Sequence, residues 1–324
     1  MTLKFKWETE FKQTEIGKVP REWEVQKIKE VGEIAGGTTP STKKKEYWDG
    51  RIPWLTPKDL RDYEYVYISR GERNITEKAV KECSLKFFPE GTVLLTTRAP
   101  IGYVAIAKNR ITANQGFRNI VPHKIKSEYL YYYLKNVTDY LKSLAGGSTF
   151  GELTGTTLKE VLIPYPPPEE QSRIATVLSW FDDLIENKKR QNEILEKTAM
   201  AIFKSWFVDF EPFKNEEFVY SEELGKEIPK GWEVKELGEF VSTQYGFTAS
   251  GEETGKIKLL RIKDINKAFV IDWDSVPFCN IINDIFPKYQ LKNMDIVISR
   301  IGDIGKVAII ENPPLSVFAS YLIR

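Results

Sequence analysis

The chain has 324 residues, with 47 basic side chains against 46 acidic and a net charge of +1, so it is long enough for two domains and a connector, and any nucleic-acid surface on it must be a local patch. Two distant cysteines, Cys83 and Cys279, make no disulfide framework and suit a reducing, cytoplasmic compartment. The polar start MTLKFKWETEFKQTE is no signal peptide, and no run nears the roughly 20 apolar residues of a membrane span, so no membrane partner is expected.

Residues 1–165 read as a first mixed α/β domain. VLLTTR and YVAIAK are short, β-branched strands bounded by Gly, Pro or Asn, and their irregular spacing argues against a doubly wound sheet. After the turn Gly36-Gly37-Thr38-Thr39-Pro40 come Lys43, Lys44 and Lys45 with Tyr47, Trp48 and Arg51, cations and aromatics expected on a loop. There they would neutralise phosphates, or form a plain solvated lysine run. Lys58 and Arg61 precede Tyr63, Tyr65 and Tyr67, whose alternation puts an aromatic face on a strand, for core packing or for DNA; Arg70 and Arg73 follow. Arg98, in TTRAPIG, touches phosphate or holds the fold. Asn114 and Gln115 have the amide chemistry to read adenine, yet sit in a turn-like NQGF. The single histidine, His123, lies beside Pro122 in a loop and pairs with no catalytic partner. Ser127–Ala145 reads as one helix with Ser127 as N-cap and Gly146-Gly147 as its stop. Ser148 and Thr149 follow in a small-residue loop able to approach phosphate, and residues 158–165 return as a strand.

Residues 166–213 read as a helical spacer of about 40 residues, roughly 60 Å long. Apolar positions recur at steps of four and three: Ile174, Leu178, Phe181, Ile185, then Lys188 and Asn192, then Leu195, Ala199, Ile202 and Trp206. That heptad seam predicts a coiled-coil-type helix burying a narrow stripe, with Asn192 setting register. Trp206 and Phe207 dock a partner subunit or pack on the domain that follows.

Residues 214–324 repeat the first domain. Trp23-Glu24-Val25 returns as Trp232-Glu233-Val234, 209 residues later. Lys58-Asp59-Leu60 is echoed by Lys263-Asp264-Ile265, and the TTRAPIGYVAI segment by SRIGDIGKVAI, with Arg98 recurring as Arg300 within one residue. The second copy reaches only the counterpart of about position 120, so it is read as truncated at its C-terminal end. Two similar domains on a rod make a caliper for two DNA half-sites, about one and a half to two helical turns apart.

These segments carry a family likeness. The duplicated entry EIGKVPREWEV, the Gly36–Pro40 turn, residues 97–106, NQGF and PPPEEQSRIATVLSWFDDLIENKKRQNEILEKTAMAIFKSWFVDF resemble the specificity subunit of type I restriction-modification systems. The resemblance implies two target recognition domains of α+β type with mixed and antiparallel strands, joined by a long helix. It also implies a non-catalytic subunit that binds double-stranded DNA and directs methyltransferase and restriction subunits to a bipartite site. S-adenosylmethionine, ATP and magnesium are then expected on those partners, with no cofactor, metal or catalytic residue in this chain. Two alternatives stand beside it: a half-length subunit pairing head-to-tail with itself, and the recognition part of a restriction-modification fusion enzyme. A nuclease would need clustered carboxylates around a metal, and Asp295 and Asp303 lack a third member. Asn312-Pro-Pro-Leu315 resembles an amino-methyltransferase motif, but its leucine cannot stack on a flipped base, so it reads as a turn.

Overall fold

The computed structural model describes residues 10–98, 100–146, 151–265 and 271–324. It divides into two compact units, Met1–Lys204 and Ser205–Arg324. The elements are mixed α and β, with a long helix between the two sets of strands.

In the first unit a five-stranded sheet runs in the order Gly32–Gly36, Arg118–Pro122, Val93–Leu95, Val104–Ala107, Tyr67–Ile68. All pairs are antiparallel except the last. Side-chain alternation splits its core in two. Val93, Leu95, Ile106 and Ile120 face the helix residues Leu130, Leu134 and Leu141. Leu94, Ala105, Ala107 and Phe117 face Leu55, Phe88 and Ile111. Burial on both faces is why these strands read as unbroken apolar runs. A second sheet sets Trp48–Leu55 between Thr112–Ala113, parallel, and Arg73–Ile75, antiparallel.

Three local expectations are corrected. The helix expected over 127–145 is two, Ser127–Asn136 and Thr138–Ser143, broken at β-branched Val137. Its N-cap is Lys126, while the Ser127 hydroxyl donates to the Gly91 carbonyl at 2.7 Å. The strand expected over 158–165 shrinks to Leu162–Tyr165, paired with Glu24–Lys27. Gly155–Glu160 is helical because the Thr154 hydroxyl caps it, accepting from the Thr157 N–H at 3.1 Å.

The long helix is Pro168–Phe203, 36 residues, hence about 54 Å. Pro168 sits in its first turn with Glu169 and Glu170, as the dipole favours. It is shorter than the 166–213 span, because the backbone loosens into a π turn, Lys204–Val208, and a 3-10 turn, Glu211–Phe213. Its start is fixed to the first unit by buried Gln171, which accepts from the Lys126 N–H (3.0 Å) and donates to the Pro166 carbonyl (2.9 Å). The Trp23 indole donates to Glu170 at 2.9 Å. Farther along, Tyr132 donates to Asp182 at 2.7 Å and Lys189 pairs with Glu64.

The second unit repeats a set of the first unit's backbone and cap bonds. The hairpin Phe11–Thr14/Gly17–Pro20 returns as Phe218–Ser221/Lys226–Pro229. Strand Ile257–Leu260 lies between Phe278–Cys279, antiparallel, and Ser316–Phe318, parallel. Asp59 accepts from the Thr56 N–H at 2.7 Å, and Asp264 from the Arg261 N–H at 2.9 Å. A Cβ on Gly37 would lie 2.0 Å from the Ala113 carbonyl oxygen, and one on Gly246 2.2 Å from that of Ala319, so only glycine fits either place. The Thr96 and Ser299 hydroxyls each accept a backbone N–H at 3.0 Å, from Tyr103 and Lys306, behind left-handed Gly102 and Gly305. This register sets Thr97, not Arg98, against Arg300: the Thr97 N–H donates to the Gly116 carbonyl as that of Arg300 donates to the Tyr321 carbonyl. The expected recurrence of Arg98 is therefore displaced by one residue.

One difference is large. Ile296, Ile298, Val307 and Ile309 lie 38–57% exposed. Their counterparts Val93, Leu95, Val104 and Ile106 pack in the core with the Ser127–Asn136 helix. Among the described residues of the second unit no helix packs on these four side chains, and that sheet face is exposed. Among the described residues no helix is long and apolar enough to cross a membrane.

Candidate nucleic-acid interface

Gly37, pressed against Ala113, launches the segment 38–51, and two indoles hold it down. The Trp54 N–H donates to the Thr38 carbonyl (3.0 Å) and the Trp48 N–H to that of Ser41 (3.2 Å). The two rings meet edge to face at 5.0 Å and pack with Ile75, Ala79 and Leu85. Tyr47 and Trp48, expected on a loop beside DNA, are thus core residues, 3% and 7% exposed. Lys45–Tyr47 is a 3-10 turn and Trp48 opens a strand. Burying rings of that size outweighs leaving them on a surface. Lys44 is likewise engaged: it donates to the Tyr47 hydroxyl (2.8 Å), which donates to Glu82 (2.5 Å). Lys43 and Lys45 remain exposed, with no acidic partner among the described residues. Arg51 joins them by a β-bulge. Trp48 and Ile52 both register with Ile75, so Asp49–Arg51 loops out, with Asp49 at φ +60° and Gly50 against the Ile75 carbonyl. Arg51 is exposed on the bulge and also lacks an acidic partner among the described residues.

The other expected contacts divide. Lys58 pairs with Glu72 at 2.9 Å, and Arg61 is exposed. Arg98 and Arg118 share Glu152, at 2.9 and 3.0 Å, a bridge the sequence does not announce because 118 and 152 are far apart. Asn114 Oδ1 accepts from the Gly116 N–H at 2.9 Å and serves the turn. Exposed Gln115 accepts from the Thr39 hydroxyl, which puts its amide beside the 38–51 segment. Ser148 and Thr149 lie outside the described residues. Of the three tyrosines only Tyr67 is in a strand; Tyr63 and Tyr65 meet edge to face at 5.5 Å. Burial pushes the Tyr67 and Tyr132 phenols up, and their bonds to Glu128 and Asp182 add to this, so both remain donors.

On the helix, Ile174 packs on the first unit's core, while Leu178, Phe181, Ile185, Asn192, Leu195 and Ile202 are exposed. Trp206 belongs to the second unit and is half exposed. Next to it Phe207, Phe210 and Phe213 ring Trp232 at 5.1–6.3 Å. The three-residue spacing of those phenylalanines is the signal for that cluster. Asp295 accepts from the Lys292 N–H (2.8 Å) and lies 3.5 Å from Arg324, and Asp303 pairs with Lys306 at 3.4 Å. Asn312, at φ +42°, begins a turn between Val307–Ile309 and Ser316–Phe318, as expected for this motif.

Similarity to known proteins agrees with this architecture. The family model of the type I restriction modification DNA specificity domain matches residues 20–197. The chain is 67% identical over 277 residues to the type I restriction enzyme MjaIX specificity subunit of Methanocaldococcus jannaschii, covering 83% of this chain and 64% of that relative's length. It is 30% identical over 322 residues to the MjaVIII specificity subunit of the same organism, covering 96% of this chain and 72% of the relative. The crystal structure of a type I restriction-modification S subunit from M. genitalium shares the fold, with a TM-score of 0.50 at 19% identity over 100% of this chain and 74% of that one. With its duplicated domain, its long intervening helix and these matches, the chain belongs to the family of type I restriction-modification specificity subunits.

Proposed function

We propose that this chain reads a bipartite DNA sequence for a type I restriction-modification assembly and supplies no catalytic group itself. The observation that carries the reading is that one architecture is built twice in one chain, down to the glycine contacts and aspartate caps. In the first unit, Lys43, Lys45 and Arg51 take phosphates and fix register, and Gln115 lies where an amide can meet a base edge. Adenine methylation and ATP-dependent cleavage belong to methyltransferase and restriction partners, which hold S-adenosylmethionine, ATP and magnesium. The whole assembly works in the cytoplasm.

The exposed stripe of Leu178, Phe181, Ile185, Leu195 and Ile202 favours a second reading, two copies paired head-to-tail. One experiment separates the two: a methylation map of DNA from cells holding this chain, its methyltransferase partner and no other specificity subunit. A split, asymmetric motif supports two different readers in one chain. A split palindrome supports paired copies using the first unit. No motif, with the methyltransferase shown active through a control subunit, overturns both.

A further inference from the structure

We propose that Arg73 is a specificity-determining residue of the first unit that reads a guanine edge; this rests on the DNA-reading function proposed above. Arg73 opens the edge strand Arg73–Ile75 and stands opposite Trp54 in antiparallel register. It shares a strand face with Ile75, because side chains two apart point the same way. Its guanidinium carbon lies 3.5 Å from the Trp48 ring centroid and 5.9 Å from that of Trp54. Both rings are held in place on three counts: they are buried, hydrogen-bonded through their N–H groups and packed on each other. Arg73 is nevertheless exposed, and among the described residues its guanidinium has no hydrogen-bond or ion-pair partner.

A cation stacked on a fixed ring has already lost most of its rotamer freedom, and little more is lost when it binds. Its planar edge keeps paired N–H donors that match O6 and N7 of guanine. Placement matters most in base readout, whereas Lys43 and Lys45 on their segment and Arg51 on its bulge suit phosphates, which accept donors from many directions. Among the described residues the second unit has no arginine at the corresponding place, and its Arg300, 4.6 Å from the Tyr245 centroid, donates to the Ser320 carbonyl at 3.0 Å. By strand register Pro277 stands where Arg73 does. The nearby Lys258 lies 3.9 Å from the Phe278 centroid but donates to the Val276 carbonyl at 2.7 Å. The two units therefore present different readers.

The test uses the full chain assembled with its methyltransferase subunits. Methylation is scored across a randomised duplex library for the wild type, Arg73→Ala and Arg73→Lys, with a thermal melt of each. A wild type that methylates no motif removes the DNA-reading function itself. Given a wild-type motif, the expected result is that both variants lose discrimination at one G·C position by about 10- to 100-fold. All other positions keep their preference, and Arg73→Lys melts as the wild type does. An unchanged motif and level in Arg73→Lys overturns the proposal. So does a uniform loss over all sequences with the motif intact, which marks a phosphate contact.

Discussion

Neutralising Lys43, Lys45 and Arg51 together is expected to change the salt dependence of DNA binding by a calculable amount. These three exposed side chains have no acidic partner among the described residues, whereas Lys44 is held by the Tyr47 hydroxyl and Glu82. Each phosphate contact contributes about 0.9 to the slope of log K against log salt, so the triple alanine variant loses about 2.7 from that slope. From 50 to 200 mM salt, the wild type then weakens roughly 40-fold more than the variant. Fluorescence anisotropy with a labelled duplex, repeated at four salt concentrations, measures both slopes. Lys44→Ala is the internal control: its slope stays near the wild-type value. Equal slopes for the triple variant and the wild type would refute the assignment of this segment to phosphates, as would a Lys44→Ala slope that falls as far.

Three further outcomes are expected. Gly37→Ala should destabilise the first unit by about 2–4 kcal/mol, from overpacking against the Ala113 carbonyl and loss of the Thr38–Ala113 backbone bond. Gly246→Ala should do the same in the second unit, and Gly238→Ala, with open space around it, should stay within about 0.5 kcal/mol of wild type in urea titrations. Glu160, hydrogen-bonded by Lys27 and Lys29, has its carboxyl lowered to about 2 from 4.5. A depressed pKa contributes stability above pH 4.5 that disappears as pH falls through 2. Glu160→Gln should therefore flatten the stability profile between pH 5 and 2, and an unchanged profile would dismiss that bridge. Leu195→Glu, on the exposed helix stripe, should leave the melting temperature within 1–2 °C, a change of about 0.5 kcal/mol at most, while abolishing self-association in analytical ultracentrifugation if two copies pair through that stripe. Self-association unchanged in the variant would refute pairing through the stripe.

The duplication was legible because it rests on residues with fixed backbone duties. Asp59 and Asp264, aligned by the sequence repeat, must each cap a turn, and Gly102 and Gly305, also aligned, adopt the left-handed backbone. Their spacing survives in sequence wherever the turn survives; the matching need for no Cβ at Gly37 and Gly246 shows only in the structure. The long helix was legible from its seam but not its end, since the π turn at Lys204–Val208 continues the same apolar run. Arg98 and Arg300 were legible as counterparts only to within one residue, and the Gly102 and Gly305 turns fix that one-residue offset, setting Thr97 against Arg300. The 38–51 segment was half legible. Cations interleaved with aromatics describe a DNA-facing loop and a core strand equally well until Trp48 and Trp54 are seen packing on Ile75. The Glu152 bridge to Arg98 and Arg118 joins distant residues, a tertiary pairing that no local pattern encodes.

The bare sheet face of the second unit has a colloidal consequence. Four neighbouring aliphatic side chains are adhesive, and a net charge of +1 with an isoelectric point near 7.6 supplies almost no mutual repulsion at neutral pH. Light scattering from the isolated chain should peak near pH 7.6 and fall as the solution is moved to either side. Replacing Ile296 and Ile309 with threonine should lower that peak without changing the content of β structure.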